Sequence, residues 1–338
     1  MGQTTKSNIA ILAGSKEVHG REATIQELTR VLGTIPRGLA TSVVCYIGSR
    51  WEGDNAARWM ELDRTTFQPY LLQPETRAAL ARYAASETVP VVVFTRRRAL
   101  TLLRLAHRLC PKEDGHQITE EEVEQARYAM GEAFLLLGDL QESTSEEQFE
   151  DAVALILPSF EESNRPTLML AYTRVYSMVR DPTWSSEPIL VEAAARFSTK
   201  FGLGILEYMY VIVAFVTKLL GRQGKELHGM FKLTEVFARA RDRDSIRRVV
   251  ESLSIPLDAI EGLVKDDIAT IIKSHSQEPF RSKPLIASPR EDVFLCPDLS
   301  GMGEHLSSGL FWKLFLLFST PGERNQFSAA WGDLAPEN

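Results

Sequence analysis

The sequence predicts a mainly α-helical protein: a multi-helix, bundle-like array with a short β-hairpin near its C-terminus. Between about residues 95 and 275, apolar residues recur three or four positions apart, which is the period of an amphipathic helix. The segments with this period alternate with short loops, as in packed antiparallel helices. The period stops at PFRSKPLIASPREDVFLCPD (279–298), where prolines forbid a continuous helix and leave two short extended pieces.

Length and composition predict three regions. The chain has 338 residues, of which 44% are hydrophobic and 25% are charged, and this balance suits a globular protein with a real core. We expect a mixed, mostly helical N-terminal region (1–115) and a helical core domain (116–275). The hairpin and a last apolar helix then form the C-terminal region (276–338).

Four segments make up the N-terminal region. TIQELTRVLGTI (24–35) has helical spacing, and PETRAALARYAASE (74–87) places a Pro before strong helix formers. ATSVVCYIGSRW (40–51) carries a β-branched run that fits either a strand or a buried helix. VPVVVFTRRRALTLLRLAHRLC (89–110) begins like a strand and becomes an amphipathic helix after Thr95, a predicted N-cap.

The first helix of the core domain is predicted over residues 118–140, with a cap at its start. Thr119 is its N-cap and Glu122 follows three residues later, which is the capping-box pattern. The helices expected after it cover residues 168–179, 187–202, 202–220, 232–254 and 256–274.

The apolar segment 202–220 is about long enough to span a bilayer, but Glu207 and Lys218 favour a buried core helix. The three cysteines lie far apart and form neither a disulfide framework nor a zinc motif, so we expect reduced thiols. The sequence therefore predicts a cytoplasmic protein without a membrane partner.

A basic edge on the helix after Thr95 is a candidate for contacts with phosphate or with a partner. It consists of Arg96, Arg97, Arg98 and Arg104. The alternative is that these arginines face the acidic residues 120–124 of the next helix inside the fold. A net charge of −7 gives no support to nonspecific nucleic-acid binding by the whole chain, so a nucleic-acid-binding helical module is kept as an alternative only.

One segment suggests a catalytic alternative. In GRQGKELHG (221–229), Arg222 and His228 are separated by five residues, and this resembles the R-x4-6-H motif of HEPN ribonucleases. The resemblance implies phosphate binding by Arg222 and proton transfer by His228. Gly224 lies between them and favours a helix-to-helix loop instead. No other catalytic, metal or cofactor motif is recognised, so we expect no cofactor and favour a noncatalytic protein.

The last apolar helix, HLSSGLFWKLFLLFST (305–320), is apolar on most of its faces. Such a helix requires a partner surface, either within the chain or on another protein. We therefore expect Phe311, Trp312, Phe315 and Phe318 to form an interface.

Four segments of the chain resemble the helical N-terminal region of large bacterial phage-defence-type proteins. They are MGEAFLLLGDL (130–140), AYTRVYSMV (171–179), PFRSKPLI (279–286) and LFWKLFLLF (310–318), the last followed by Phe327 and Gly332. In that family the helical part precedes a C-terminal, nuclease-like effector. The resemblance implies a recognition or scaffold module that acts through a protein partner or through an effector absent here. We expect a truncated or split protein, or a stand-alone scaffold.

Overall fold

A computed structural model of the protein describes residues 20–50, 60–87, 92–112, 118–141, 165–221, 230–236, 243–274, 278–280, 282–290, 292–306 and 308–334. It is mainly helical, with a small four-stranded mixed sheet built from residues after 229. The predicted fold class is therefore confirmed.

The helices between Arg21 and Gln141 follow the predicted pattern. They are α1 (Arg21–Leu32), α2 (Arg37–Gly48), α3 (Gln68–Leu71), α4 (Pro74–Glu87), α5 (Arg96–Leu109) and α6 (Glu120–Gln141), with a π-helical turn (Asp63–Phe67) before α3. The ambiguous segment 40–51 lies mostly in α2. Nearly every residue of α2 from Ala40 to Gly48 is buried, which explains why its sequence is apolar on all faces.

Both predicted N-caps are present. The Thr95 hydroxyl oxygen accepts the Arg98 backbone N–H at 3.2 Å. At the start of α6 the capping box is reciprocal: the Thr119 N–H donates to a Glu122 carboxylate oxygen at 2.7 Å, and the Glu122 N–H donates to the Thr119 hydroxyl at 3.2 Å. These bonds satisfy backbone donors that have no partner within the helix.

Many of the elements in the part of the chain between Arg165 and Leu334 are short. Its helices are α7 (Arg165–Arg180), α8 (Pro182–Ser186), α9 (Pro188–Phe201), α10 (Ile205–Gly221), α11 (Leu233–Val236), α12 (Arg243–Ser252), α13 (Ile260–Leu263), α14 (Ile268–Lys273), α15 (Leu299–Glu304), α16 (Ser308–Phe315) and α17 (Pro321–Leu334). Its strands are β1 (Met230–Lys232), β2 (Ser254–Pro256), β3 (Leu285–Ala287) and β4 (Val293–Leu295).

Two predicted helices are wrong in part. The segment 256–274 is not one helix but a 3-10 turn, α13 and α14, because Asp267 caps a new helix by accepting the Thr270 N–H at 2.8 Å. The segment 232–254 is helical at 233–236 and 243–252, while Lys232 ends β1 and Ser254 begins β2.

The predicted hairpin is the centre of a larger sheet with strand order β1-β4-β3-β2. β3 and β4 are antiparallel, β1 adds to β4 in antiparallel fashion, and β2 pairs with β3 in parallel. Strands β1 and β2 were not predicted, because each has three residues and neither shows enough alternation to stand out from the helical pattern beside it.

The sheet lies between two hydrophobic core clusters, and the hairpin contributes to both. Ile286 and Leu295 belong to the first cluster, with α1, α2, α5 and α6. Leu285 and Phe294 belong to the second cluster, with α9, α10, α12 and α15–α17. Successive side chains of a strand point to opposite faces, so one short hairpin serves both sides. The first cluster contains residues from both sides of 115 and of 275, and the three expected regions stay a prediction.

Helix α6 approaches the end of α3 so closely that only a glycine fits at one position. A Cβ atom on Gly131 would overlap the backbone carbonyl oxygen of Leu71 at the end of α3. Gly332 in α17 is also helical, but a Cβ atom there would meet no other atom within 4 Å. The two glycines therefore differ in packing but not in secondary structure.

We expect Gly131→Ala to destabilise the protein by about 1–3 kcal/mol, because α6 must move away from α3 to admit the methyl group. Gly332→Ala is the matched control and should raise stability by roughly 0.5–1 kcal/mol, the ordinary helix-propensity gain. The free energy of unfolding, from urea titration followed by circular dichroism, measures both. Equal effects of the two substitutions would contradict the close approach of α6.

Candidate functional site

The predicted basic edge of α5 is largely internal. Arg96 is buried and forms a bidentate ion pair with Asp298, with Nε–Oδ1 and Nη2–Oδ2 distances of 2.8 and 2.7 Å. A Glu304 carboxylate oxygen lies 3.5 Å from the same Nη2 atom. The Asp298 side chain is fully buried. Arg96 therefore connects α5 in the first core to the segment before α15 in the second core, and it is not exposed to a ligand.

The other arginines of this edge differ in their surroundings. Arg98 donates to the carbonyl oxygens of Val92 and Val93 at 3.1 and 2.9 Å, which holds the segment before α5. Arg104 is buried and pairs with Asp266. Arg97 is half-buried, and burial together with the Arg98 charge lowers its pKa. Among the described residues Arg97 has no carboxylate partner.

These contacts correct part of the expectation for this edge. Arg96 and Arg104 do pair inside the fold, but their carboxylates come from residues 298 and 266 and not from the acidic first turn of α6. That turn uses its acids locally, as in the Thr119–Glu122 capping box. The partners lie 202 and 162 residues further along the chain, beyond the reach of any local pattern.

A second polar group lies between α2, α5 and α13. Arg37 pairs with Glu261 at 2.9 Å, and Lys112 reaches the same Glu261 oxygen at 3.0 Å. The two cations hold the pKa of Glu261 at about 2. His107 is fully buried beside them, with its Nε2 atom 3.4 Å from the Thr41 hydroxyl. The His107 Nδ1 atom has no hydrogen-bond partner within the described residues.

The surroundings of His107 keep its imidazole neutral. Burial and the Arg37 charge lower its pKa to about 4, against a smaller opposing effect of Glu261. A neutral imidazole is the form that acts as a general base. However, the ring is inaccessible to a substrate in this conformation, so the cluster is a structural element with a pH-dependent contribution to stability.

Asp63 is a buried acid in the π-helical turn. Its carboxylate accepts the backbone N–H groups of Phe94 and Val93 at 2.8 and 3.3 Å, and the Gln68 side-chain amide at 2.7 Å. Burial raises its pKa to about 6, which these hydrogen bonds partly oppose. π-helical turns often mark functional positions. Here the carboxylate oxygens are occupied by internal donors, and Asp63 holds the segment 92–95 against the first core.

The described residues offer little for covalent or metal chemistry. All three cysteines are buried and form no disulfide bond, and burial raises the pKa of Cys45 and Cys296, which makes both thiols poor nucleophiles. No group of three or more His, Cys, Asp or Glu side chains in the described ranges is placed to hold a metal ion. Arg222 and His228, the residues of the predicted ribonuclease motif, lie outside the described residues.

The predicted interface on α16 is divided between core and surface. Phe318 is 1% exposed and belongs to the second core, and Phe311 is half-buried with its ring 5.7 Å from Phe327 and 5.6 Å from Trp331. Phe315 is also half-buried. Trp312 is 53% exposed. Phe318 is therefore not available to a partner, because α17 supplies much of the packing surface that the apolar helix requires.

Sequence reasoning missed the second exposed residue of this surface. Leu316 is 62% exposed and lies four residues after Trp312. Its N–H donates to the Trp312 carbonyl oxygen at 3.0 Å, which completes a helical turn and places the two side chains on the same side. The spacing was visible in the sequence, but an all-apolar helix does not show which side stays exposed. We call Trp312 and Leu316 the α16 patch.

Comparisons with known proteins give no assignment. No family model matches the chain, and neither a curated protein nor a solved structure gives a significant match. In the part of the chain that the structure describes, no single helix is long and apolar enough to cross a membrane. Two bent pairs, α1 with α2 and α9 with α10, satisfy the length and composition requirement together.

We expect Arg96→Met to destabilise the protein by about 3–5 kcal/mol, because it leaves the Asp298 carboxylate buried without its guanidinium partner. Adding Asp298→Asn should recover part of that loss, since the remaining charge is removed. Arg30→Met is the control: Arg30 pairs with Glu27 on the surface, with 63% of its side chain exposed, and should have little effect. Urea unfolding of the four proteins tests this. A double variant no more stable than Arg96→Met would contradict the role given to the charge.

His107 should make the protein less stable in acid. Its pKa is about 4 in the folded chain and about 6.5 when unfolded, so the unfolded state binds more protons between these values. The His107 contribution is complete above pH 6.5 and declines as the pH falls towards 4, by about 3 kcal/mol. Asp63 acts in the opposite sense over part of this range, so the comparison is with His107→Leu. The difference in unfolding free energy between wild type and variant should fall with acidification; a constant difference would contradict this prediction.

Proposed function

We propose that this chain is a noncatalytic, helical recognition or scaffold module that acts through a protein partner. The observation that carries the proposal is the α16 patch, in which Trp312 and Leu316 expose an aromatic and an aliphatic side chain on one side of a helix. Exposed Trp side chains are over-represented among the residues that dominate binding energy at protein interfaces. The helix beneath them is anchored by Leu310, Leu314 and Phe318, which are buried.

The rest of the candidate chemistry supports the same proposal. Arg96 and Arg104 are engaged in internal ion pairs, and His107 and Asp63 are enclosed. These polar groups maintain the fold and are not presented to a substrate. A rigid helical body with an exposed apolar pair is suited to binding a protein surface.

The sequence resemblance suggests where such a module works. The segments that resemble bacterial phage-defence-type proteins include 310–318, which contains the α16 patch. We therefore propose a role in a bacterial defence-type system, with the partner or effector supplied by a separate protein.

Co-expression with the proteins encoded by adjacent genes should yield a complex that Trp312→Glu and Leu316→Glu weaken by about thirtyfold or more, equivalent to roughly 2 kcal/mol. Purification followed by titration calorimetry gives the affinity. In cells carrying the locus, Trp312→Glu should also lower protection in a phage plaque assay.

Tyr210→Glu is the matched control, because Tyr210 is 64% exposed on α10 and lies outside the patch. It should keep both the complex and the protection. A wild-type chain that purifies as a lone monomer and gives no protection would overturn the proposed function. A complex that Trp312→Glu leaves intact would remove the patch as its basis.

A further inference from the structure

Three lysines from separate elements lie close together beside α16. Lys200 is in the last turn of α9, Lys313 is in α16, and Lys283 is in the loop before β3. The Nζ atoms of Lys200 and Lys313 lie 5.6 and 5.9 Å from the centre of the same Phe201 ring. Lys283 is near enough for its charge to act on Lys313. The fold therefore places two ammonium groups near one aromatic ring, with the charge of Lys283 acting on one of them.

The loop that carries Lys283 packs against α15. Its neighbour Pro284 is buried and packs against α15, where a Cβ atom built on Gly301 would be 3.5 Å from the Pro284 Cβ atom. Lys200 lies just before the end of α9, where Gly202 has the left-handed conformation (φ 72°) typical of a helix C-terminus. Tertiary structure thus brings Lys200 and Lys283, which are 113 and 30 residues from Lys313 in the sequence, to the same part of the fold.

None of the three lysines forms an ion pair with a carboxylate of the described residues, although α16 packs against helices that carry acidic side chains. Several charged groups of those helices are engaged elsewhere: Arg196 with Glu192 and Glu323, Arg324 with the Phe318 carbonyl, and Glu304 with Arg96. In a chain of net charge −7, an unopposed group of three cations is a local exception.

The protonated form of Lys313 is disfavoured by the surroundings of the cluster. Lys313 is half-buried, and burial together with the charges of Lys200 and Lys283 lowers its pKa to about 8. A group of like charges around a partly desolvated amine is an arrangement that a bound anion would relieve.

We propose that Lys200, Lys283 and Lys313 form a binding site for a compact, multiply charged anion of the phosphate class. Each ammonium group offers three hydrogen-bond donors, and lysine binds phosphate as a point charge. Lys313 is half-buried, whereas Lys200 and Lys283 are exposed. The site does not depend on the proposed protein partner, and it is tested on the isolated chain.

Inorganic tripolyphosphate is the probe, measured by titration calorimetry at low ionic strength. Lys313→Met should weaken its binding by about tenfold or more, which is the effect of losing one charge-assisted contact. Lys200→Met and Lys283→Met should each weaken it too. Lys265→Met is the matched control, because Lys265 is exposed and lies outside the cluster, and it should bind like the wild type.

Proton uptake gives a second readout. A bound anion favours the charged form of Lys313, so binding near pH 8 should draw protons from the buffer. Titrations in two buffers of different ionisation enthalpy measure this uptake, which Lys313→Met should abolish and Lys265→Met should retain. Thermal unfolding of each variant shows whether it is folded.

Three ligands distinguish the sources of the phosphate group. If ATP binds as tightly as tripolyphosphate, the phosphate chain is the part that is recognised. If ATP binds more tightly, the nucleoside makes an additional contact. Citrate should bind more weakly. No saturable binding of tripolyphosphate, equal binding by folded Lys313→Met, or citrate binding equal to that of tripolyphosphate would overturn the proposal.

Discussion

The buried ion pair between Arg96 and Asp298 is the contact on which the arrangement of the two cores depends. It joins the first turn of α5 to the segment before α15, across 202 residues of chain. Both side chains have left water, so the pair stabilises the fold only in the one geometry that satisfies both oxygens of Asp298. A Cβ atom on Gly48 would overlap the backbone of neighbouring Pro297, which shows that α2 meets the same segment at backbone distance. The position of the hairpin relative to α2 and α5 is therefore tightly constrained.

This constraint changes how the hairpin is understood. From the sequence, the stretch 279–298 is an extended piece between a helical body and a last apolar helix. In the structure it is the shared centre of both cores, with Leu285 and Phe294 on one side and Ile286 and Leu295 on the other. The apolar helix after it is likewise covered in part, because α17 packs Phe327 and Trp331 against Phe311. The apolar area that remains exposed on α16 is smaller than the composition of this helix indicates.

How well the sequence predicted each of these features depends on how far apart along the chain the interacting residues are. The helix starts at Thr95 and Thr119 were predictable because a cap and its partner are three residues apart. Strand β2 was not, since three residues at Ser254–Pro256 acquire strand geometry only by pairing with β3 about thirty residues later. The basic edge of α5 was visible as a set of arginines, but Asp298 and Asp266 become their neighbours only through tertiary packing. The lysine cluster has no sequence signature at all, because its members come from three separate elements.

The protein uses its two kinds of basic residue differently. Arginines occupy the interior positions Arg37, Arg96 and Arg104, where a planar guanidinium can satisfy a carboxylate or a carbonyl through several donors. Lysines with no carboxylate remain at the edge of the second core. A lysine there costs little when its ammonium group is hydrated, but Lys313 is partly withdrawn from water, and the packing of α9 against α16 brings Lys200 beside it. The anion site proposed above would set a charge of opposite sign against this arrangement. Helix α16 thus presents an apolar pair and a cation from one short segment, while Leu310 and Leu314 anchor its opposite side in the core.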